Sequence, residues 1–230
     1  MFFNSSYIIY ILPGILLVML TSWYVKSAYR KWSKVPAQSR MSGYEAAQRL
    51  INRAGLYGVQ IEAIRGEMTD HYDPRSKTLR LSQGVGQGSS VASLAIAAHE
   101  LGHAMQDAEG YFPLKARAAM VPMVNIGSNL GWVLIMAGLF FHWLNIAWLG
   151  VAFFSGGALF ALMTLPVEFN ASARAKRLLA ETGIIQTEAE QRGVNNVLNA
   201  AALTYVAALV TSIMQLLYYV SLLSGGSRRK

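Results

Sequence analysis

Three stretches of this 230-residue chain contain no Asp, Glu, Lys or Arg: residues 1–25, 118–167 and 193–227. A helix needs about 20 predominantly apolar residues to cross the hydrocarbon core of a bilayer. The first and third stretches each have room for one crossing and the middle one for two. A wholly water-soluble fold is excluded, and a multi-pass α-helical membrane protein is expected. Composition agrees, with 53% hydrophobic and 14% charged residues, where soluble domains carry about 25% charged.

The first stretch reads as a retained anchor. A cleavable signal places positive charge before its apolar run, yet nothing basic precedes FFNSSYIIYILPGILLVMLTSWYV, and Lys26, Arg30, Lys31 and Lys34 follow it. The span runs from about Tyr7 to Val25, with Trp23 and Tyr24 as interfacial anchors at its inner end. Of the 20 Lys and Arg, thirteen lie in 26–117, four in 174–192 and three in the tail. Basic residues near span ends stay cytoplasmic, which places the amino terminus outside and 26–117 inside. Four crossings then leave Arg228, Arg229 and Lys230 outside, against that rule, unless the last segment stays within the bundle instead of crossing. Eight of the twelve acids share 26–117 with those bases, so the net charge of +8 reflects membrane orientation and calls for no nucleic acid. The absence of cysteine excludes disulfides and thiolate ligands.

The chain therefore divides into an anchor (1–25), a cytoplasmic α+β part (26–117), a transmembrane helical hairpin (118–167), a cytoplasmic helix (168–196) and an apolar carboxyl-terminal helix with a basic tail (197–230). Within 26–117, SGYEAAQRLINRAGLYG predicts a helix with a capping box, Ser42 standing three residues before Glu45, and Gly55 as its carboxyl-terminal cap. VQIEAI alternates as strands do, and in TDHYDPRSKTLRLS the turn chemistry of DPRSK precedes the alternating TLRLS, so two or three strands containing a hairpin are expected. QGVGQGSS reads as a flexible loop whose serines cap the helix SVASLAIAAHELGHAMQDAEG. The apolar hairpin divides at HWLN, giving spans at about Met123–Phe141 and Ile146–Leu165. A polar helix is expected to start near Pro166 and stop at Gly183.

Two of the four histidines, His99 and His103, stand four apart in AAHELGHAMQ, one turn apart on one helical face. Both can point a ring nitrogen at one ion about 2.0–2.1 Å away. Glu100, about 100° round the helix, is poorly placed as a ligand to that ion and well placed to act on a water beside it. This is the H-E-x-x-H pattern of zinc peptidases, with the glutamate as general base. A catalytic zinc needs a third protein ligand and an open fourth position. Gln106 and Glu109 stand where an extended H-E-x-x-H-x-x-G-x-x-H motif would have glycine and histidine. His142 lies at the outer turn. His71, in the hairpin region, is on the correct side of the membrane, but Glu168 is the better candidate, because it emerges at the end of the third span on the same side as His99 and His103. A carboxylate at a membrane boundary is costly unless it is paired, with Arg174 or Lys176 for instance, or metal-bound.

AAHELGHAMQ, PVEFNASARAKRLL and TDHYDPRSKTLRLS together resemble the YugP-like bacterial membrane zinc metallopeptidases, over essentially the whole chain. More distantly the chain is similar to HtpX-type and CAAX prenyl proteases, in which a glutamate in an E-x-x-A-D motif follows the H-E-x-x-H helix after membrane spans. The resemblance implies a small cytoplasmic α+β gluzincin-like metalloprotease domain in a bacterial plasma membrane. It implies one Zn2+ per chain held by His99, His103 and Glu168, with Glu100 as the catalytic base and a polypeptide, such as another membrane protein, as substrate. Ser172 replaces the motif's aspartate, which in those relatives helps orient a ligand histidine; Ser172, Asn170 or Asp107 could take that part. His71, Tyr72 and Arg174 are candidates for stabilising an oxyanion. A substrate could add as a strand beside the TLRLS hairpin. Two other readings are a site-2-type intramembrane protease, in which the His helix is itself a span, and a non-catalytic metal-binding scaffold. An intact Glu100 speaks against the scaffold. The membrane-spanning segments contain no aspartate, the third ligand of site-2-type enzymes, which speaks against the protease.

Overall fold

The computed structural model describes residues 5–226. In chain order its elements are α1 (Ser5–Trp32), α2 (Gly43–Ala54), β1 (Gln60–Ile64), β2 (His71–Asp73), β3 (Thr78–Ser82), α3 (Gln83–Gly86), α4 (Val91–Ala108), α5 (Phe112–Phe140), α6 (Leu144–Glu181) and α7 (Glu188–Gly226). Two compact units share them: Met1–Ser22, Lys115–Leu165 and Thr204–Lys230 form one, Trp23–Leu114 and Pro166–Leu203 the other.

In the second unit, α2 opens on the expected capping box. The Ser42 hydroxyl accepts the Glu45 N–H while the Glu45 carboxylate accepts the Ser42 N–H at 2.8 Å, and the helix stops at Gly55 with φ 68°. Its apolar face, Ala46, Ala47, Leu50 and Ile51, is buried. The sheet has the order β1-β3-β2, with β1 parallel and β2 antiparallel to β3. The hairpin is therefore β2–β3, closed where Asp73 accepts the Arg75 N–H and the Ser76 hydroxyl. TLRLS is the central strand, with Leu79 and Leu81 buried, so the edges open to a further strand belong to β1 and β2.

The stretch expected to be a flexible loop is instead packed. Residues 83–86 form α3, with Val85 and Gly86 buried. The Gly43 N–H donates to the Gly88 carbonyl and the Ala37 N–H to that of Ser89. A side chain at Gly86 would stand 2.3 Å from the Tyr44 ring. The glycines here serve close backbone approach and not mobility. Ser90 caps α4 as expected, accepting the Ser93 N–H at 3.1 Å. Residues Val91 to Ala104 of α4 supply much of this unit's core, together with Leu50, Leu79, Val85, Leu179 and Val194.

Among the described residues, four helices are long and apolar enough to cross a membrane, namely α1, α5, α6 and α7; α4 is not among them and packs against α2, α3 and the sheet. The helix expected to begin near Pro166 does not begin there. Pro166 lies inside α6, which runs on to Glu181, and Gly183, with φ 63°, marks the stop. A proline inside a helix forfeits one backbone hydrogen bond, a loss that apolar spans tolerate. Glu190 fixes the start of α7, its buried carboxylate accepting the N–H groups of Gln186, Thr187 and Gln38.

The first unit packs parts of α1, α5, α6 and α7 around Ile135, Ala147, Val151, Tyr218, Tyr219 and Leu223. Glycines bring α5 and α6 together: a Cβ at Gly131 would meet the Phe154 nitrogen at 2.7 Å, and one at Gly138 the Ala147 nitrogen at 2.4 Å. Close packing through small residues suits helices that have no hydrophobic drive between them in lipid. Outward faces carry Ile9, Met19, Met123, Ile126, Trp132 and Phe140.

Candidate metal centre

All the groups described below lie in the second unit. The first turns of α4 are buried nearly all round, through Val91, Ala92, Leu94, Ala95, Ala97 and Ala98, and the next turns carry His99 and His103 on one face. Their rings meet edge to face with centroids 4.9 Å apart. A helical Gly102 lets α6 approach, since a Cβ there would stand 2.5 Å from the Ala171 carbonyl oxygen. This contact brings in Glu168, buried, with Oε2 3.3 Å from His99 Nε2 and 3.6 Å from His103 Nε2.

These three residues form the group able to hold a metal ion among the described residues, with donor atoms within 4.8 Å of one another. The spacing suits zinc. Donors about 2.0–2.1 Å from a tetrahedral ion stand roughly 3.3 Å apart, close to the two carboxylate–imidazole separations. The donor set of two imidazoles and a carboxylate is also that of catalytic zinc sites held by two histidines and a glutamate.

Each histidine has a partner on its other nitrogen. His99 Nδ1 lies 3.2 Å from Ser172 Oγ, and His103 Nδ1 lies 3.0 Å from Gln106 Oε1. The sequence left the orienting group open among Ser172, Asn170 and Asp107. Ser172 takes that place for His99, Asn170 stands behind Gln106, and Asp107 accepts the Tyr72 hydroxyl at 2.9 Å. Gln106 was not foreseen; in the sequence it served only to exclude a longer motif. The available signal was a glutamine three residues past His103, on the helix face that carries both histidines. It is fully buried.

Glu100 reaches the sheet, where its Oε2 accepts the Tyr72 N–H at 3.1 Å. Burial pushes its carboxyl above the ordinary glutamate range, against the opposing pull of His99 and His103. For His103, burial disfavours the charged ring, but the Glu168 carboxylate outweighs it and the pKa is raised. Tyr72 is raised too, by burial first and Asp107 second.

Of the remaining candidates, His71 has its Nδ1 2.9 Å from the Thr69 carbonyl and is not part of the His99–His103–Glu168 group. Arg174 is committed elsewhere. Its Nε donates to Asn170 at 2.7 Å, and its two terminal nitrogens reach both Glu109 oxygens at 2.5 and 2.7 Å.

Residues 7–224 match the model of a family described as "Putative neutral zinc metallopeptidase". The chain is 45% identical over 202 residues to "Putative membrane protease YugP" of Bacillus subtilis (strain 168), covering 88% of this chain and 89% of that protein. No solved structure matches it significantly.

Proposed function

The chain belongs to the neutral zinc metallopeptidase family, and we propose that it is a membrane-embedded metalloendopeptidase of the gluzincin type, with its active site at the cytoplasmic membrane face. The observation that carries the reading is the meeting of Glu168 with His99 and His103, although 64 residues separate His103 from Glu168 in the chain. His99, His103 and Glu168 would hold one Zn2+. When bound, the ion supplies Lewis acidity, lowering the pKa of a water toward about 7 and polarising the scissile carbonyl.

Glu100 is the general base. Because its Oε2 is tied to the Tyr72 N–H, Oε1 is the oxygen left to take a proton from the attacking water and return it to the departing amine. Burial favours that uptake. The substrate binds as an extended strand beside the β2–β3 hairpin, with the Tyr72 carbonyl as the β2 edge group left to pair with it, the Tyr72 N–H being tied to Glu100. The Tyr72 N–H points to Glu100, and the carbonyl of the same residue in a strand points the same way, so this edge runs beside the base. Arg174, held by Glu109 and Asn170, is a strut behind the centre. The cytoplasmic placement is supported by the thirteen basic residues of 26–117 and by the four helices able to span.

The test is the zinc content of purified protein with cleavage of an unfolded protein substrate. Wild type should hold about one zinc per chain. Glu168→Gln should lose it, and Glu100→Gln should keep it while losing cleavage. Full zinc in Glu168→Gln would overturn the ligand set, and full activity in Glu100→Gln would overturn the mechanism.

A further inference from the structure

At the rear of the centre, Arg174, Asn170, Gln106 and His103 form an unbroken hydrogen-bonded chain in which each link fixes the polarity of the next. A guanidinium has only donors, so the Asn170 atom 2.7 Å from Arg174 Nε must be its oxygen. That oxygen accepts a second hydrogen bond, from Gln106 Nε2 at 2.9 Å. The other hydrogen on Gln106 Nε2 goes to the Val167 carbonyl at 2.8 Å, again an acceptor only. A flipped Gln106 amide would turn its oxygen against two acceptors. Its Oε1 therefore faces His103 Nδ1 and can only accept. A neutral imidazole carries one N–H, so with the proton on Nδ1 the lone pair is left on Nε2, the nitrogen nearest Glu168.

We propose that Gln106 is a positioning residue that holds the His103 ring in the one tautomer able to coordinate through Nε2. This rests on the metal centre described above and adds to it a means of setting His103 before any ion arrives. Gln106 is 0% exposed, so bulk water does not compete for the bond its oxygen makes to His103. His99 is held differently. The Ser172 hydroxyl beside its Nδ1 can donate as well as accept and imposes no tautomer alone. One ligand histidine is preset and the other permissive.

The tautomer can be read directly. The chain has four histidines, so 15N-histidine labelling in detergent gives a small set of ring signals, and loss of one set in His103→Gln assigns that residue. In zinc-free wild type at mildly alkaline pH, His103 should show a slowly exchanging Nδ1–H. In Gln106→Leu, of similar size but unable to hydrogen-bond, that proton should lose protection and the Nε2–H tautomer should appear. Zinc affinity, measured against a competing chelator, should fall roughly 10–100-fold. Asn170→Leu removes one of the two acceptors holding the Gln106 amide and should shift both readouts the same way, by less. It also carries the test if Gln106→Leu does not fold. An unchanged His103 tautomer with wild-type zinc affinity, in whichever of these variants folds, overturns the proposal. The tautomer is read without metal, so a wild type that binds no zinc at His99, His103 and Glu168 would sink the metal reading separately.

Discussion

Ser172 Oγ lies 3.2 Å from His99 Nδ1, at the position where related motifs carry an aspartate. A hydroxyl is a neutral acceptor, and neutral hydrogen bonds have roughly half the strength of charged ones. Ser172→Ala should weaken zinc binding toward the lower end of the 10–100-fold range typical of such partners, about 10-fold. The fold should be kept, because the side chain removed is small. Chelator competition on the variant decides the point. Unaltered affinity would mean that packing alone orients His99.

The approach of α6 to α4 depends on Gly102. A methyl group there would stand 2.5 Å from the Ala171 oxygen and 3.0 Å from its Cα, and neither backbone can yield locally. Gly102→Ala should cost about 1–3 kcal/mol of stability, as overpacking does. It should also lower zinc affinity, because the shift falls between the His pair and Glu168. Melting temperature and zinc affinity should drop together. A variant that loses stability and keeps its zinc affinity would show that the helices adjust elsewhere.

The features legible in the sequence were those set by local spacing. The i, i+4 histidines, the Ser42–Glu45 capping box, the Gly55 stop and the charge-free stretches each depend on neighbours in the chain. Glu168 was picked out from topology, since two crossings, an even number, lie between it and His103 and return it to the histidines' side. Gln106 was not found, because its amide nitrogen meets Val167 and Asn170 some sixty residues on, and only its oxygen meets a near neighbour in the chain, His103. The glycines of 83–90 misled for a related reason. Composition cannot distinguish a glycine needed for motion from one beneath Tyr44. Pro166 read as a boundary because proline's local cost is visible in sequence and the continuity of the surrounding helix is not. The β1-β3-β2 order was likewise hidden, since alternation marks strands and not partners.

The β2–β3 hairpin should respond to acid. The Ser76 hydroxyl, then Arg80 and the Arg75 N–H, hold the Asp73 carboxyl down at about 2. Its folded pKa is thus below its unfolded value, so ionised Asp73 favours the folded hairpin at pH values above the ordinary aspartate pKa of about 4. That contribution is lost as the pH falls through about 2. The difference in thermal midpoint between wild type and Asp73→Asn should be largest near neutral pH and close progressively below about pH 4. A difference constant down to pH 2 would assign the hairpin's stability to other contacts.

Tyr72 touches the site in two separable ways. Its hydroxyl reaches Asp107, and its N–H reaches Glu100. Tyr72→Phe removes only the first and should leave cleavage within a few-fold of wild type. Tyr72→Pro removes both, but its ladder cost is low, because this N–H faces away from β3 and proline is tolerated at such edge positions. A hydrogen bond to a charged group contributes about 1.5–3 kcal/mol. If the Tyr72 N–H orients Glu100 for proton uptake, Tyr72→Pro should therefore cut kcat/KM by roughly 10–100-fold relative to Tyr72→Ala, which also lacks the ring but keeps the N–H. Zinc should be retained, since Glu100 is not a ligand in this centre. Equal activity in the proline and alanine variants would mean that Glu100 is aimed by burial alone. Loss of zinc in the proline variant would mean that the edge strand supports the ligands as well as the base.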